Sequence, residues 1–203
     1  MRKKILFLAG MMACCSLAGA QEISKTWVAD KGNGTYQNPV LHADYSDPDV
    51  CAAGDDFYMT ASSFNCIPGI PILHSNDLVN WSLVNYALPV QEPEAFFDKA
   101  QHGKGVWAPA IRFHNGEFYI YWGDPDYGIY MIKAKDPKGR WTKPVLVKAG
   151  KGMIDPTPLW DEDGKVYLVH AYAGSRSGVN SIVVICELNA EGTEVISDPE
   201  LPT

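Results

Sequence analysis

Two aspartates, Asp47 and Asp155, are the residues of this sequence whose types and surroundings best suit chemistry. Each directly precedes a proline and opens a short segment that continues into a turn and an aromatic-rich run. A third copy of this pattern carries Ala108 at the same place, with Trp107 beside it. Hydrolysis of a glycosidic bond needs one carboxylate that activates water and another carboxyl group that protonates the leaving oxygen. Aromatic faces bind the apolar face of a sugar ring. If these positions converge in the fold, the sequence predicts a site for that chemistry.

The alternative interpretation of each Asp-Pro pair is structural, because aspartate before proline commonly starts a turn. Asp47 and Asp155 are distinguished from such turn formers only by their shared position in the repeated pattern. We interpret three other aspartates as turn formers: Asp77, Asp136 and Asp163. Trp81 and Trp141 recur late in their segments and are predicted to pack, and His74 is predicted to be structural.

An internal repeat predicts the architecture that would position the two acids. The three units start 61 and 47 residues apart, at Asp47, Ala108 and Asp155. Asn115-Gly116 and Asp163-Gly164 are strong hairpin signals, and a second hairpin follows the first in each unit. Four short strands per unit, with almost no helical periodicity, are typical of β-propeller blades, although a generic β-sandwich is the alternative. The first strand of each blade lies nearest the propeller axis, so Asp47 and Asp155 are expected to face a central channel.

The first twenty residues have the composition of a secretory signal peptide. A positive n-region at residues 2–4 precedes an apolar run at residues 5–13 and a small-residue cleavage site at residues 18–20. The run is too short to span a bilayer. We therefore expect export to the periplasm or the cell exterior, with lipid attachment at Cys14 or Cys15 as the alternative. The predicted organisation is a signal peptide at 1–20, a polar lead-in at 21–37 and propeller blades at 38–203.

Charge and cysteine content limit which binding partners and metal sites are expected. The formal net charge is −7, from 17 basic and 24 acidic residues. Without residues 1–20 the basic count falls to 14 and the charge to −10. An acidic chain argues against nucleic acid as a partner and suits a neutral substrate. The remaining cysteines, Cys51, Cys66 and Cys186, form no metal-ligand spacing, and their odd number leaves at least one thiol free.

Four motifs in order resemble glycoside hydrolase family 43. The first is Asn38-Pro39-Val40 followed by residues 45–50, and the second is residues 62–69 followed by residues 72–81. The third is Val106-Trp107-Ala108-Pro109, and the fourth is Ile154-Asp155-Pro156. The resemblance covers nearly all of residues 36–200. It implies a five-bladed β-propeller, of which about three blades fall within this sequence. It also implies inverting hydrolysis of xylan, arabinoxylan or arabinan oligosaccharides by a β-xylosidase or α-L-arabinofuranosidase, with no required cofactor. A structural calcium occurs in some members, with its usual ligand in a later blade.

The resemblance implies a separate role for each candidate residue. Asp47 corresponds to the general base, and Asp155 to the acid that modulates the pKa of the proton donor. Trp107 and Phe64 correspond to residues that line the subsite for the terminal sugar. The family's proton donor is a Glu in a Glu-Gly-Pro motif of the fourth blade. None of the glutamates near the end of the sequence has that context: Glu187, Glu191, Glu194 and Glu200. We therefore expect this sequence to be the N-terminal part of a longer enzyme and to be inactive alone.

Two other functions fit parts of the pattern. A non-catalytic carbohydrate-binding propeller would keep Trp107 and Phe64 but would not need Asp47 and Asp155, so the acid pair favours an enzyme. A sialidase-type propeller is suggested by Ser75, Asp77 and Trp81, which loosely match an Asp-box. The glycine expected between that aspartate and the tryptophan is absent.

Overall fold

The described part of the protein is built from three four-stranded antiparallel sheets. The computed structural model describes residues 26–65, 67–180, 182–197 and 199. In each sheet the four strands are neighbours in chain order, so each sheet is a simple meander. This arrangement confirms the prediction of an all-β chain. The predicted signal peptide at 1–20 lies outside the described residues.

The strands and two single-turn helices follow one another along the chain. The first sheet contains β1 Asp49–Ala53, β2 Asp56–Thr60, β3 Gly69–Ser75 and β4 Ser82–Leu88. The second contains β5 Trp107–His114, β6 Glu117–Asp124, β7 Gly128–Ala134 and β8 Val145–Ala149. The third contains β9 Met153–Trp160, β10 Val166–Tyr172, β11 Val183–Leu188 and β12 Val195–Ser197. Helix α1 is Glu94–Phe97 and helix α2 is Gly174–Ser177. Neither helix is long and apolar enough to cross a membrane.

The hairpins form where the turn residues predict them. Asn115 and Gly116 have φ values of 47° and 78°, which is the two-residue type I′ pattern, and His114 pairs with Glu117 across the turn. The corresponding first hairpins of the other sheets join β1 to β2 and β9 to β10. The Asn115-Gly116 signal therefore sets the strand boundaries and the register of the β5–β6 hairpin.

The second sheet is packed between the other two. Side chains alternate between the two faces of a strand. Along β6, Phe118, Ile120 and Trp122 belong to the apolar cluster shared with the first sheet. The intervening Tyr119 and Tyr121 belong to the cluster shared with the third sheet. Because both faces are covered, β6 is almost entirely buried, and the three sheets form a stack with two cores.

The third sheet leaves its other face open. Along β11, Val184 and Cys186 are buried, whereas Val183 and Ile185 are 67% and 59% exposed. Leu159 and Ile196 of the same sheet are also more than half exposed. An apolar face of this kind usually marks an interaction surface.

The first strands of the sheets lie side by side and bring the candidate residues to one end of the stack. Strand β5 contacts both β1 and β9. Asp49 of β1 accepts a hydrogen bond of 2.7 Å from the backbone N–H of Ile111 in β5 and forms an ion pair with Arg112. Gly123, near the end of β6, lies so close to Met153 that a Cβ atom there would be 2.7 Å from the Met153 carbonyl oxygen.

Five of the residues predicted to be structural make contacts of that kind. Asp77, Asp136 and Asp163 accept hydrogen bonds from backbone N–H groups two or three residues ahead, as turn formers do. His74 bonds to Asp56, and Trp141 is buried in the first core. Cys51 and Cys186 are buried, and Cys66 lies outside the described residues.

Candidate active site

Three equivalent positions share an unusual backbone conformation. Asp47, Ala108 and Asp155 have φ values of 50°, 37° and 55°, in the left-handed region that is uncommon for all residues except glycine. Each of them precedes a proline, and a residue in that place normally prefers an extended conformation. Strain of this kind is often found at functional sites, where the surrounding structure enforces it. The repeat predicted that the three positions are equivalent, but no feature of the sequence predicted their backbone conformation.

The carboxylate of Asp47 is held by Ser62. The Ser62 hydroxyl donates a hydrogen bond of 2.7 Å to Asp47 Oδ2 and accepts one of 2.8 Å from the backbone N–H of Ala108. The backbone N–H of Ser62 also bonds to the carbonyl of Ser46 at 3.0 Å. One serine therefore ties the first and second sheets together at the candidate site and orients the carboxylate. Ser62 lies within a motif that carries the family resemblance, but the sequence alone gave no reason to place it in the site.

Asp155 interacts electrostatically with Asp47. Asp155 is solvent exposed, but the protein around its carboxyl group removes part of its hydration, and this desolvation raises its pKa. The negative charge of Asp47 raises the pKa of Asp155 further. The structure therefore brings the two predicted acids close enough to interact electrostatically, although they are 108 positions apart in the sequence.

Phe64 and Trp107 form an aromatic pair, and Trp107 directly precedes Ala108, whose backbone N–H bonds to the serine that holds Asp47. Their ring centroids are 6.0 Å apart and their planes meet at 84°. The loop that carries Phe64 is paired with the segment leading into β5. Ser63 N–H bonds to the Val106 carbonyl at 3.0 Å, and Lys104 N–H bonds to the Phe64 carbonyl at 3.1 Å. This short ladder positions both aromatic rings, although Phe64 and Trp107 are 43 positions apart in the sequence.

A buried acid that the sequence did not reveal directly follows Gly123, the strand partner of Trp107. Asp124 ends β6 and is fully buried, and burial raises its pKa to about 6. Its Oδ1 accepts a hydrogen bond of 3.0 Å from Asp126 N–H, and its Oδ2 accepts one of 3.3 Å from Gln91 Nε2. Because Asp124 has no solvent-exposed surface, we interpret it as a support for the β6–β7 turn.

The described glutamates near the end of the sequence, which lack the Glu-Gly-Pro context, lie in parts of the third sheet away from Asp47 and Asp155. Glu187 lies in β11 and pairs with Lys165 at 2.9 Å, and Glu191 and Glu194 lie in the turn between β11 and β12. Glu200 lies outside the described residues. In the described part of the chain, no group of three or more His, Cys, Asp or Glu side chains is arranged to hold a metal ion. The structural calcium implied by the family resemblance stays a prediction.

Comparison with known proteins gives one consistent family. Residues 36–203 match the model of glycosyl hydrolases family 43. A β-xylosidase of Formosa agariphila is 34% identical over 196 residues, which are 90% of this chain and 33% of that protein. A non-reducing end α-L-arabinofuranosidase of Bacteroides ovatus is 37% identical over 139 residues, 66% of this chain and 26% of that protein. This chain thus spans about a third or less of the length of these relatives.

Solved structures agree with the sequence relatives. The crystal structure of a family 43 protein from Bacillus licheniformis superposes with a TM-score of 0.67 at 31% identity, covering 81% of this chain and 32% of that one. The xylan β-1,4-xylosidase from Bacillus halodurans superposes with a TM-score of 0.66 at 28% identity, covering 79% and 32%. Both similarities extend over most of the three sheets described above.

Proposed function

Because this chain belongs to glycosyl hydrolases family 43, we propose that it contributes two catalytic acids, Asp47 and Asp155, to an inverting glycosidase. The proposed substrates are xylan, arabinoxylan or arabinan oligosaccharides, since relatives bear the names β-xylosidase and α-L-arabinofuranosidase. The observation that carries the proposal is the convergence of Asp47 and Asp155, with Phe64 and Trp107 adjoining, at one end of the stacked sheets.

Asp47 is the proposed general base. Its carboxylate is solvent exposed, so water can reach it, and the Ser62 hydroxyl fixes its orientation. Asp47 takes a proton from that water as the oxygen attacks the anomeric carbon. On the opposite face of the sugar, a carboxylic acid gives its proton to the leaving oxygen as the glycosidic bond breaks. In inverting enzymes these two carboxyl groups stand about 6.5–9.5 Å apart, which leaves room for the water.

Asp155 is the proposed modulator of the proton donor. A negative charge close to a carboxylic acid raises the pKa of that acid and keeps it protonated near neutral pH. None of the glutamates in the 203 residues is followed by Gly-Pro, so none of them is assigned as the donor. Residues 21–203 alone are accordingly expected to show no glycosidase turnover.

We further propose that the three sheets are consecutive blades of a five-bladed propeller. The support is their meander topology, their face-to-face stacking and the adjacency of their first strands. The exposed apolar face of the third sheet is a surface that a following blade would cover. Export of the mature protein and the domain boundaries given above are part of the same proposal.

The stereochemistry of the reaction tests the function directly. The full-length protein would be incubated with nitrophenyl β-xyloside and nitrophenyl α-arabinofuranoside, and the first-formed sugar anomer would be followed by proton NMR. We expect hydrolysis of at least one substrate with inversion at the anomeric carbon. Retention of configuration would exclude the base role of Asp47, and a lack of turnover on both pentosides would exclude the proposed substrates.

A further inference from the structure

Arg176 covers the ring of Trp107. Arg176 belongs to α2, which follows β10 of the third sheet, whereas Trp107 begins β5 of the second sheet. The guanidinium carbon of Arg176 lies over the indole, 5.8 Å from the ring centroid. This distance is within the range of a cation–π interaction, which is most favourable with tryptophan.

Asp126 holds Arg176 in that place. The Asp126 carboxylate, in the turn between β6 and β7, accepts a hydrogen bond of 3.2 Å from Arg176 Nε through its Oδ1. Its Oδ2 forms an ion pair of 3.3 Å with Lys104 Nζ, from the segment that leads to β5. The side chains of Arg176 and Asp126 are 30% and 23% exposed, so solvent screens the pair only in part. One carboxylate thus connects two cations, one from α2 and one from the segment before β5.

The turn that carries Asp126 and the helix that carries Arg176 are joined through Gly152. Its N–H bonds to the Pro125 carbonyl at 2.7 Å, and its carbonyl accepts a bond of 2.7 Å from Ala173 N–H, directly before α2. A Cβ atom at Gly152 would be 2.7 Å from the Cβ of Ser177, so the helix is seated directly against this glycine. The turn that carries Asp126 and the helix that carries Arg176 therefore have a fixed separation.

The arrangement restricts Trp107 from two directions. Phe64 contacts the indole with its ring at 84°, and Arg176 lies over it. Trp107 Nε1 is buried and has no hydrogen-bond partner among the described residues, so no polar contact of the ring itself fixes its rotamer. The orientation of the ring thus depends on its packing and on the guanidinium group.

We propose that Arg176 is a positioning residue for Trp107 and that Asp126 holds Arg176 in place, so that the indole presents a fixed surface to the sugar. The inference rests on the proposed function, because it takes Trp107 as part of the sugar subsite. A fixed aromatic surface contributes to binding of the substrate and the transition state alike, so its loss raises KM more than it lowers kcat.

The test combines kinetics with a probe that does not depend on activity. The full-length protein would be labelled with 5-fluorotryptophan, and the fluorine resonance of Trp107 would be assigned as the one missing from Trp107→Phe. We expect Arg176→Gln to shift that resonance and to raise KM by about 3- to 10-fold, with kcat changed less than about twofold. Arg176→Lys, which keeps a cation, should give intermediate values.

Lys165→Gln is the matched control, because Lys165 forms an ion pair of 2.9 Å in the same sheet, with Glu187. It should leave both the resonance and KM unchanged. If Arg176→Gln melts at a much lower temperature than this control, the fluorine resonance and KM of Arg176→Lys are used for the comparison instead. A Trp107 resonance that does not move, or one that moves without a change in KM, overturns the inference. An unmodified protein that hydrolyses neither pentoside overturns the proposed function instead, while the resonance still decides whether Arg176 positions the ring.

Discussion

The hydroxyl of Ser62 donates a hydrogen bond of 2.7 Å to Asp47 Oδ2, and this bond fixes the proposed base. The same hydroxyl accepts a bond from the backbone N–H of Ala108, whose φ of 37° is strained for an alanine. Ser62 therefore stabilises both an orientation of the carboxylate and a backbone conformation of the neighbouring sheet.

Substitution of Ser62 should lower kcat strongly and the free energy of unfolding only moderately. In Ser62→Ala the Asp47 carboxylate loses its donor, so we expect kcat to fall about 10-fold and the folded state to lose about 1–2 kcal/mol. Ser63→Ala is the control, because the Ser63 hydroxyl accepts a hydrogen bond of 2.8 Å from Ile70 N–H, whereas the Ser62 hydroxyl donates to Asp47. The Ser63 variant should lose similar stability and keep its kcat. Equal kcat values for the two variants would contradict the role of Ser62.

Removal of the Asp155 charge should shift the pH profile in one direction. The proton donor must be protonated, so its pKa sets the basic limb of kcat/KM against pH. Asp155 raises that pKa in our proposal, and Asp155→Asn should therefore move the basic limb to lower pH by about one unit. The measurement is kcat/KM for a nitrophenyl pentoside between pH 4 and 9. A basic limb at an unchanged pH would show that Asp155 does not act on the donor.

Asp124 should make stability depend on pH. Its pKa is raised from 3.8 to about 6 in the folded protein, so folding favours the neutral carboxyl group. That stabilisation is complete below the unfolded pKa and is lost as the pH rises through the folded one. Asp124→Asn removes the titration and offers an amide N–H to Gln91 Oε1, which is buried without a partner in the described structure.

The melting temperature of Asp124→Asn should therefore rise relative to that of the unmodified protein between pH 4 and pH 7. The difference corresponds to at most about 3 kcal/mol. A difference that stays constant over this pH range would show that Asp124 does not titrate as proposed.

Gly152 should tolerate no side chain. Its φ is +79°, and a Cβ atom would collide with the Cβ and N of Ser177. Gly164 is the matched control, because its φ is +82° but no atom lies within 4 Å of the added Cβ. Gly164→Ala should cost about 1–2 kcal/mol for the left-handed backbone alone. Gly152→Ala should cost about 1–3 kcal/mol more because the site is overpacked. Equal melting temperatures for the two variants would contradict the seating of α2.

The sequence predicted those features that depend on local patterns. Asn115-Gly116 specifies its turn because both residues adopt positive φ readily, and the alternation along β6 reflects burial on both faces. The equivalence of Asp47 and Asp155 followed from the repeat. By contrast, Ser62 bonds to a backbone group 46 residues away, and Arg176 bonds to a carboxylate 50 residues away. Such contacts are set by how the sheets stack, so no local pattern could predict them.

The central claim, that Asp47 is the general base, is tested most directly by Asp47→Asn in the full-length enzyme. Its matched control is Asp44→Asn, an exposed aspartate of the same segment. We predict that Asp47→Asn lowers kcat on a nitrophenyl pentoside by about 10²- to 10⁴-fold, with melting temperature nearly unchanged, while Asp44→Asn keeps its activity. A kcat for Asp47→Asn within a fewfold of the unmodified enzyme would contradict the account.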